Sequence, residues 1–296
     1  MCGIAGCIGV RDEQTINRML DALTHRGPND RGIHIKDDKV WGHTRLSIVD
    51  VAHGHQPILS GDEQVGLICN GEIYNFRDIR KTLEGKYTFR THSDSEVVLH
   101  LYREKGPACV RDLDGMFAFA LFDSDKDTYM LARDPIGIKP LYYGYHDGAM
   151  YFTSELGAMS LAGVDEAHEF PPGHYYTPEE GFVAYYRVPK VAKNPMNDID
   201  EICEKIRDTF TRSVKKRMLA DPEVPVGSFC SGGLDSSIVA AIAAQESPQI
   251  HTFVVATGTV TKATTSSPRG WRPNTSAQPI TNWPLPKKNI TRPCPR

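Results

Sequence analysis

At 296 residues, 40% hydrophobic and 24% charged, the chain has the make-up of a folded, soluble protein and the length of two ordinary domains. A formal net charge of −3 gives no basic field for nucleic acid or an anionic membrane, so small metabolites are the expected ligands. The N-terminus has no basic segment leading into an apolar one, and runs such as MFAFALF and IVAAIAA are too short to cross a bilayer, which makes the cytoplasm the expected compartment.

The chain begins MCGIAG. Removal of Met1 is favoured by a residue as small as cysteine at position 2, and it would leave Cys2 with a thiol and a free α-amino group on one carbon. Such an amine has an ordinary pKa of roughly 7.7 to 8.0, so part of it is neutral near pH 7 and able to take the thiol proton, directly or through a water. Cys2 could then attack a carbonyl without a histidine. Seven cysteines, an odd number without CxxC spacing, indicate neither a disulfide framework nor a zinc site. Most of them are expected as reduced core residues. His53 and His55 in HGHQP, the histidines nearest to a ligand pair, read as a surface turn.

In chain order, EQTINRMLDALTHRG places Ile16, Met19, Leu20 and Leu23 on one helical face, with GP as its stop. VGLICNGE, GMFAFALFD, TYMLARDP and GAMYFTSE read as strands. SEVVLHLYREKG reads as a helix with Ser93 or Asp94 as N-cap. This mixture indicates an α+β domain to about residue 186. RVPKVAKNPMND is a linker by composition. Beyond it Ile199, Ile202, Ile206, Phe210 and Val214 follow helical spacing, and VPVGSFCSGGLDSSIVAAIAAQ reads as buried strand, glycine turn and helix, so a second, α/β domain starts near residue 198.

Two turns carry chemistry. In NGEIYN, after a strand, the Asn70 amide and the Gly71 backbone N–H are donors of the kind an oxyanion needs, although NG alone is a hairpin signal. In SGGLDSS, Gly232 and Gly233 let backbone N–H groups approach an anion, a helix starts behind them, and Ser231, Ser236 and Ser237 add hydroxyls. Without the Lys-Ser/Thr ending it is not the Walker pattern, and it suits pyrophosphate, the leaving group when ATP adenylates a carboxylate.

MCGIAG, HRGPND, TRLSIVD, NGEIYN, SDSE, DGMFAFALFD, RDPIGIKPLYY and SGGLDSS stand in the order found in glutamine-dependent asparagine synthetases, which the chain resembles over residues 2 to about 256. The resemblance implies a class II glutamine amidotransferase domain at 2–186, an Ntn-hydrolase αββα sandwich of four layers. A linker at 187–197 would follow, then the start of an α/β PP-loop synthetase domain at 198–260. It implies Cys2 as glutaminase nucleophile and Asn70 with Gly71 as oxyanion hole. Arg45 would clamp the glutamine α-carboxylate, Asp94 would pair its α-ammonium, and Leu46, Ile48 and Glu72 would complete the glutamine site. Cys230, Ser231, Gly232, Gly233, Asp235, Ser236 and Val255 match nucleotide-binding positions, with Asp235 a candidate Mg2+ ligand. ATP, Mg2+, glutamine and aspartate are thus the expected cofactors and substrates. The family often forms dimers, so a homodimer joins the expected partners. In such enzymes ammonia released at the cysteine passes between domains to β-aspartyl-AMP, giving asparagine, glutamate, AMP and pyrophosphate.

The resemblance ends near Ala256. Residues 261 to 296 hold seven Lys or Arg, seven Pro and no Asp or Glu, a composition expected not to fold. An out-of-frame extension replacing the rest of the synthetase domain is the expectation, and a natural basic tail is the alternative. The chain is then expected to keep the glutaminase half alone. Competing readings are a related amidotransferase-like ATP-dependent ligase, such as a β-lactam synthetase, which does not need the cysteine, and a noncatalytic regulatory or interaction fragment. A sugar or purine amidotransferase would lack SGGLDSS.

Overall fold

The computed structural model describes residues 1–190, 198–247 and 250–253. Val255, most of the linker and the 261–296 tail lie outside the described residues. The chain divides into two units, Met1–Lys193 and Asn194–Arg296.

The first unit runs β1 (Gly3–Ile8), α1 (Glu13–Ala22), β2 (Asp30–Lys36), β3 (Lys39–Arg45), β4 (Ile58–Leu59), β5 (Val65–Ile73), α2 (Phe76–Leu83) and α3 (Glu96–Lys105). It continues with β6 (Gly115–Asp123), β7 (Thr128–Arg133), β8 (Tyr142–His146), β9 (Ala149–Thr153), α4 (Leu156–Met159), β10 (Ala167–Glu169), β11 (His174–Thr177) and β12 (Gly181–Ala184). The strands make two antiparallel six-stranded sheets, ordered β10-β8-β9-β1-β3-β2 and β12-β11-β7-β6-β5-β4.

Period-2 alternation explains the layers. Along β1, Ile4 and Ile8 point to the interior between the sheets with Trp41, Phe122 and Phe152, while Ala5 and Cys7 point outward against Ile16, Met19 and Leu20 of α1. Every residue of β1 is buried because both faces are covered. The second sheet is covered on its outer side by α3, whose Val97, Val98 and Leu101 are buried, with α2 beside it. The result is the helix, sheet, sheet, helix stack expected of the first domain.

Local reading and structure differ at two helix ends. α1 stops at Ala22 rather than running to the Gly27-Pro28 pair, and Leu23 to Gly27 form turns, with Arg26 N–H donating to the Leu23 carbonyl. The N-cap of α3 is Ser95, not Ser93 or Asp94. The Asp94 carboxylate is taken instead by the Ile73 N–H at 2.6 Å, a long-range partner the local string does not show. His53 and His55 sit in an exposed turn, His55 against Asp30 and His53 near Asp50. Of the described cysteines, Cys7, Cys69 and Cys109 are buried and Cys2, Cys203 and Cys230 half-buried, all free.

In the second unit α5 (Ile199–Lys216) is capped by Asp198, whose side chain accepts from the N–H groups of Asp200 and Glu201. β13 (Gly227–Phe229) leads into α6 (Leu234–Glu246) and pairs in parallel with β14 (His251–Phe253). The strand-turn-helix reading holds, but the strand is not buried: Phe229 is 73% exposed. Among the described residues, a two-stranded sheet with one packed helix has little to cover it. The apolar stripe of α5 is likewise open, with Ile199 and Ile206 exposed and only Val214 buried beside Ile242 and Ala243. Among the described residues no helix is long and apolar enough to cross a membrane.

Candidate active site

Three strand ends of the first unit converge on one pocket: the start of β1 with Cys2, the end of β3 with Arg45, and the end of β5 with Asn70, Gly71 and Glu72. Leu46, Ile48, Asp94 and Lys139 complete the lining used below. Every glutamine-site residue expected from the sequence is therefore brought to one place.

Cys2 is held at both ends. Its Sγ lies 3.4 Å from the donating Leu46 N–H and 3.7 Å from the Leu46 carbonyl. Its own carbonyl accepts from Arg26 Nε at 2.9 Å, and Arg26 is anchored in turn on Glu155 at 2.8 Å. Burial pushes the Cys2 thiol up, while the Leu46 N–H, the chain-terminal amine, Arg45 and Lys139 each pull it down. Burial also lowers the terminal amine, here that of Met1, below its usual range.

The register of β5 explains the oxyanion site. Gly71 faces Phe117 of β6, and the Phe117 carbonyl is spent on Asp134 N–H on the far side. Gly71 and Phe117 therefore form a non-hydrogen-bonded pair, and the Gly71 N–H points away from β6. Residues of the same parity, 69 and 73, do likewise. β4 reaches only to Leu67, so beyond it these N–H groups leave the sheet edge. Cys69 N–H goes to the Gln56 side chain at 2.6 Å and Ile73 N–H to Asp94 at 2.6 Å. Gly71 N–H lies between them, on the pocket.

A side chain at position 71 would place its Cβ 2.3 Å from the Met116 carbonyl oxygen, so the strand approach requires glycine. Asn70 is fully buried on the inner face, and neither atom of its amide has a partner. A buried amide without hydrogen bonds is costly, and here it lines the same pocket as the Cys2 sulfur. Gln56 Nε2 and His43 Nε2 both lie 3.2 Å from the Cys69 carbonyl, which locks the backbone just before Asn70. Burial takes His43 down to about 4, so its ring is neutral in that bond at pH 7.

Arg45 departs from the simple clamp expected of it. Its guanidinium donates to the carbonyls of Val49, Asp50 and Val51 at 3.1, 2.6 and 3.1 Å and so shapes the 46–51 loop that presents Leu46 to Cys2. Three bonds do not exhaust five N–H donors. The Asp50 carboxylate in turn accepts from His92 N–H at 2.8 Å, tying this loop to the segment carrying Asp94. Asp94 is buried, and burial raises its carboxyl to about 6 against the ordinary value near 4, with Ile73 N–H opposing and Glu72 adding to the rise.

Sequence reading did not single out Gln56, Arg26 or Lys139. Lys139 alone left a local signal, a charge set among apolar neighbours in GIKPL.

In the second unit Ser231, Gly232, Gly233, Asp235 and Ser236 gather at the start of α6, with Ser231 and Ser236 hydroxyls 3.1 Å apart and Gly232 at φ +87°. Cys230 N–H donates to Phe253 across the β13–β14 pair. Asp235 is exposed, and among the described residues no three His, Cys, Asp or Glu side chains gather as a metal cluster. Mg2+ is commonly held by one or two carboxylates together with substrate phosphates, and Asp235 in the first turn of α6 is the acidic side chain there that would share such an ion; no step below runs through it.

Residues 1–185 match the family model described as a glutamine amidotransferase domain, and residues 205–274 match that described as asparagine synthase. A probable glutamine-hydrolysing asparagine synthetase of Schizosaccharomyces pombe is 46% identical over 84% of this chain and 46% of its own length. Asparagine synthetase B of Escherichia coli is 38% identical over 86% of the chain and 49% of its own length. The chain thus spans about half the length of the curated relatives it matches. Among solved structures, a glutamine PRPP amidotransferase of B. subtilis superposes with a TM-score of 0.56 at 23% identity, covering 86% of this chain and 65% of that one. This last likeness concerns the fold, that of an Ntn-type amidotransferase.

Proposed function

The chain belongs to the glutamine amidotransferase family in its first 185 residues, joined to an asparagine synthase segment as in glutamine-hydrolysing asparagine synthetases, and from this we propose that it hydrolyses the amide of glutamine at Cys2. The observation that carries the proposal is the shared pocket of the Cys2 sulfur, the unpartnered buried Asn70 amide and the outward Gly71 N–H.

With Met1 present, the nitrogen of Cys2 is an amide and cannot take a proton. Its removal makes that nitrogen the amine that accepts the thiol proton. Sulfur then adds to the amide carbon of glutamine, and the carbonyl oxygen becomes an oxyanion between Asn70 Nδ2 and Gly71 N–H. Collapse expels the amide nitrogen, which takes up that proton from the amine and leaves as ammonia, and water hydrolyses the thioester to glutamate and free thiol. Asp94 pairs the substrate ammonium, and the remaining Arg45 donors meet its carboxylate.

In the longer relatives' arrangement, ammonia would meet an ATP-activated aspartate bound at the SGGLDSS loop. We assign this chain the glutaminase half alone, because the loop stands in a unit whose strand and helix faces are open. Incubation with amide-15N glutamine, aspartate and Mg-ATP, followed by NMR, tests both halves. Label is expected in ammonium only. Label in asparagine overturns the restriction to one half, and unreleased label overturns the glutaminase reading.

Asp94 sets a pH limit. Its carboxyl titrates near 6 in the free protein, above its unfolded value, and only the ionised form attracts the substrate ammonium. Catalytic efficiency, kcat/KM for glutamine, should therefore fall about tenfold per pH unit below about 6, through a rise in KM. Fold stability has the opposite sign: protonation relieves a buried charge, so this group favours the native state more as pH falls from about 6 toward 4. A profile flat to pH 5 would show that Asp94 does not hold the ammonium.

A further inference from the structure

One cation in the pocket has no place in the chemistry above. Lys139 lines the same pocket as Cys2 and is 6% exposed. Among the described residues no hydrogen bond or ion pair engages its Nζ, although its backbone is tightly held. Lys139 N–H donates to the Asp134 carboxylate at 2.9 Å, and its carbonyl accepts from Arg133 Nε at 2.7 Å.

The same two side chains shape the whole RDPIGIKP turn. Asp134, wholly buried, also accepts from the N–H groups of Ile136 and Ile138 at 3.2 and 2.9 Å. Arg133 also donates to the carbonyls of Gly137 and Phe170 at 3.0 and 2.6 Å. Six hydrogen bonds from one adjacent pair thus fix a turn that delivers an ammonium to the pocket.

An ammonium set in a pocket without a hydrogen bond or ion pair is suited to an anion that forms beside it. The charged and titratable groups around the Cys2 sulfur are the chain-terminal amine, Arg26 on its carbonyl, Arg45 from β3, Cys69 and Glu72 from β5, and Asp94. Arg26 is committed to Glu155, and Arg45 to three carbonyls. Ile73 N–H already serves Asp94. Lys139 is the cation left to answer charge on sulfur.

We propose that Lys139 is a further residue of the glutaminase centre, its ammonium facing the Cys2 sulfur to hold it as thiolate. The Lys139 charge opposes the burial that raises the thiol, as its place in the same pocket requires. The idea rests on the glutaminase reading for its purpose, but its test does not need turnover.

Cys2 in the purified chain, with its N-terminus defined by mass, is alkylated with iodoacetamide across pH 5 to 10 and followed by peptide mass spectrometry, which separates it from the other cysteines. Only the thiolate reacts. In Lys139→Met the midpoint should rise by about one unit and the rate at pH 7 fall about tenfold, while Lys139→Arg should stay close to the parent. Unchanged midpoints in a folded Lys139→Met protein overturn the proposal. A reading on the unaltered chain does not depend on a variant folding. A cation at the sulfur favours anionic iodoacetate over iodoacetamide relative to free cysteine, and a ratio no higher than that of free cysteine also overturns it. Failure of the glutaminase reading looks different: a lysine-dependent alkylation profile in a chain that releases no ammonia.

Discussion

Replacing Cys2 with alanine is expected to reduce ammonia release from glutamine to the level of the buffer alone, with the first unit still folded. Cys2 carries the one thiol that lines the pocket, and its loss removes a whole step rather than weakening it. No other thiol of the first unit can stand in: Cys7, Cys69 and Cys109 are buried, and Cys69, on β5, is pushed by burial far above the ordinary thiol range. The fold should tolerate the change, because Cys2 precedes β1 and its anchorage runs through the main-chain carbonyl held by Arg26. A coupled glutamate assay with a circular-dichroism control checks this. Ammonia release equal to that of the parent chain would sink the assignment of Cys2.

Asn70→Ala should lower kcat by roughly 10² to 10³-fold with KM little changed, the size found when one oxyanion donor is removed from a preorganised site. Its amide makes no bond in the resting pocket, so the loss should fall on the transition state and not on the fold. Truncation even removes a buried polar group that the native state leaves unsatisfied, so the melting temperature should hold or rise. A large fall in melting temperature with kcat unchanged would mean that Asn70 serves structure instead. Single-turnover and steady-state glutaminase kinetics beside a thermal melt separate the two.

Some of this was legible one segment at a time. The apolar runs in VGLICNGE and GMFAFALFD, bounded by turn residues, mark two strands that prove to be buried on both faces. NGEIYN and SDSE mark pocket corners by residue type. Other features depend on partners far along the chain. Asp94 reads locally as a helix cap, yet it binds Ile73 across 21 residues. Arg45 reads as a ligand clamp, yet three carbonyls of the next loop occupy much of it. The second unit reads as a buried strand and an apolar helical stripe from Ile199 to Val214, yet Phe229 of the strand and Ile199 and Ile206 of the stripe are exposed, because amphipathic spacing states which face is apolar and not whether anything covers it.

By itself the sequence singled out Cys2 as the candidate nucleophile, the strands that bracket it and the glycine turns, since each is a property of residue type and short spacing. The tertiary structure decided the rest. The short β4 leaves the β5 edge bare, so Gly71 N–H faces the pocket between two neighbours already bonded. The Arg133–Asp134 pair folds a turn back on itself and commits Lys139 to the same cavity. Both depend on where hydrogen bonds close between distant segments, a choice made by the packing of two sheets and not by the order of neighbouring residues.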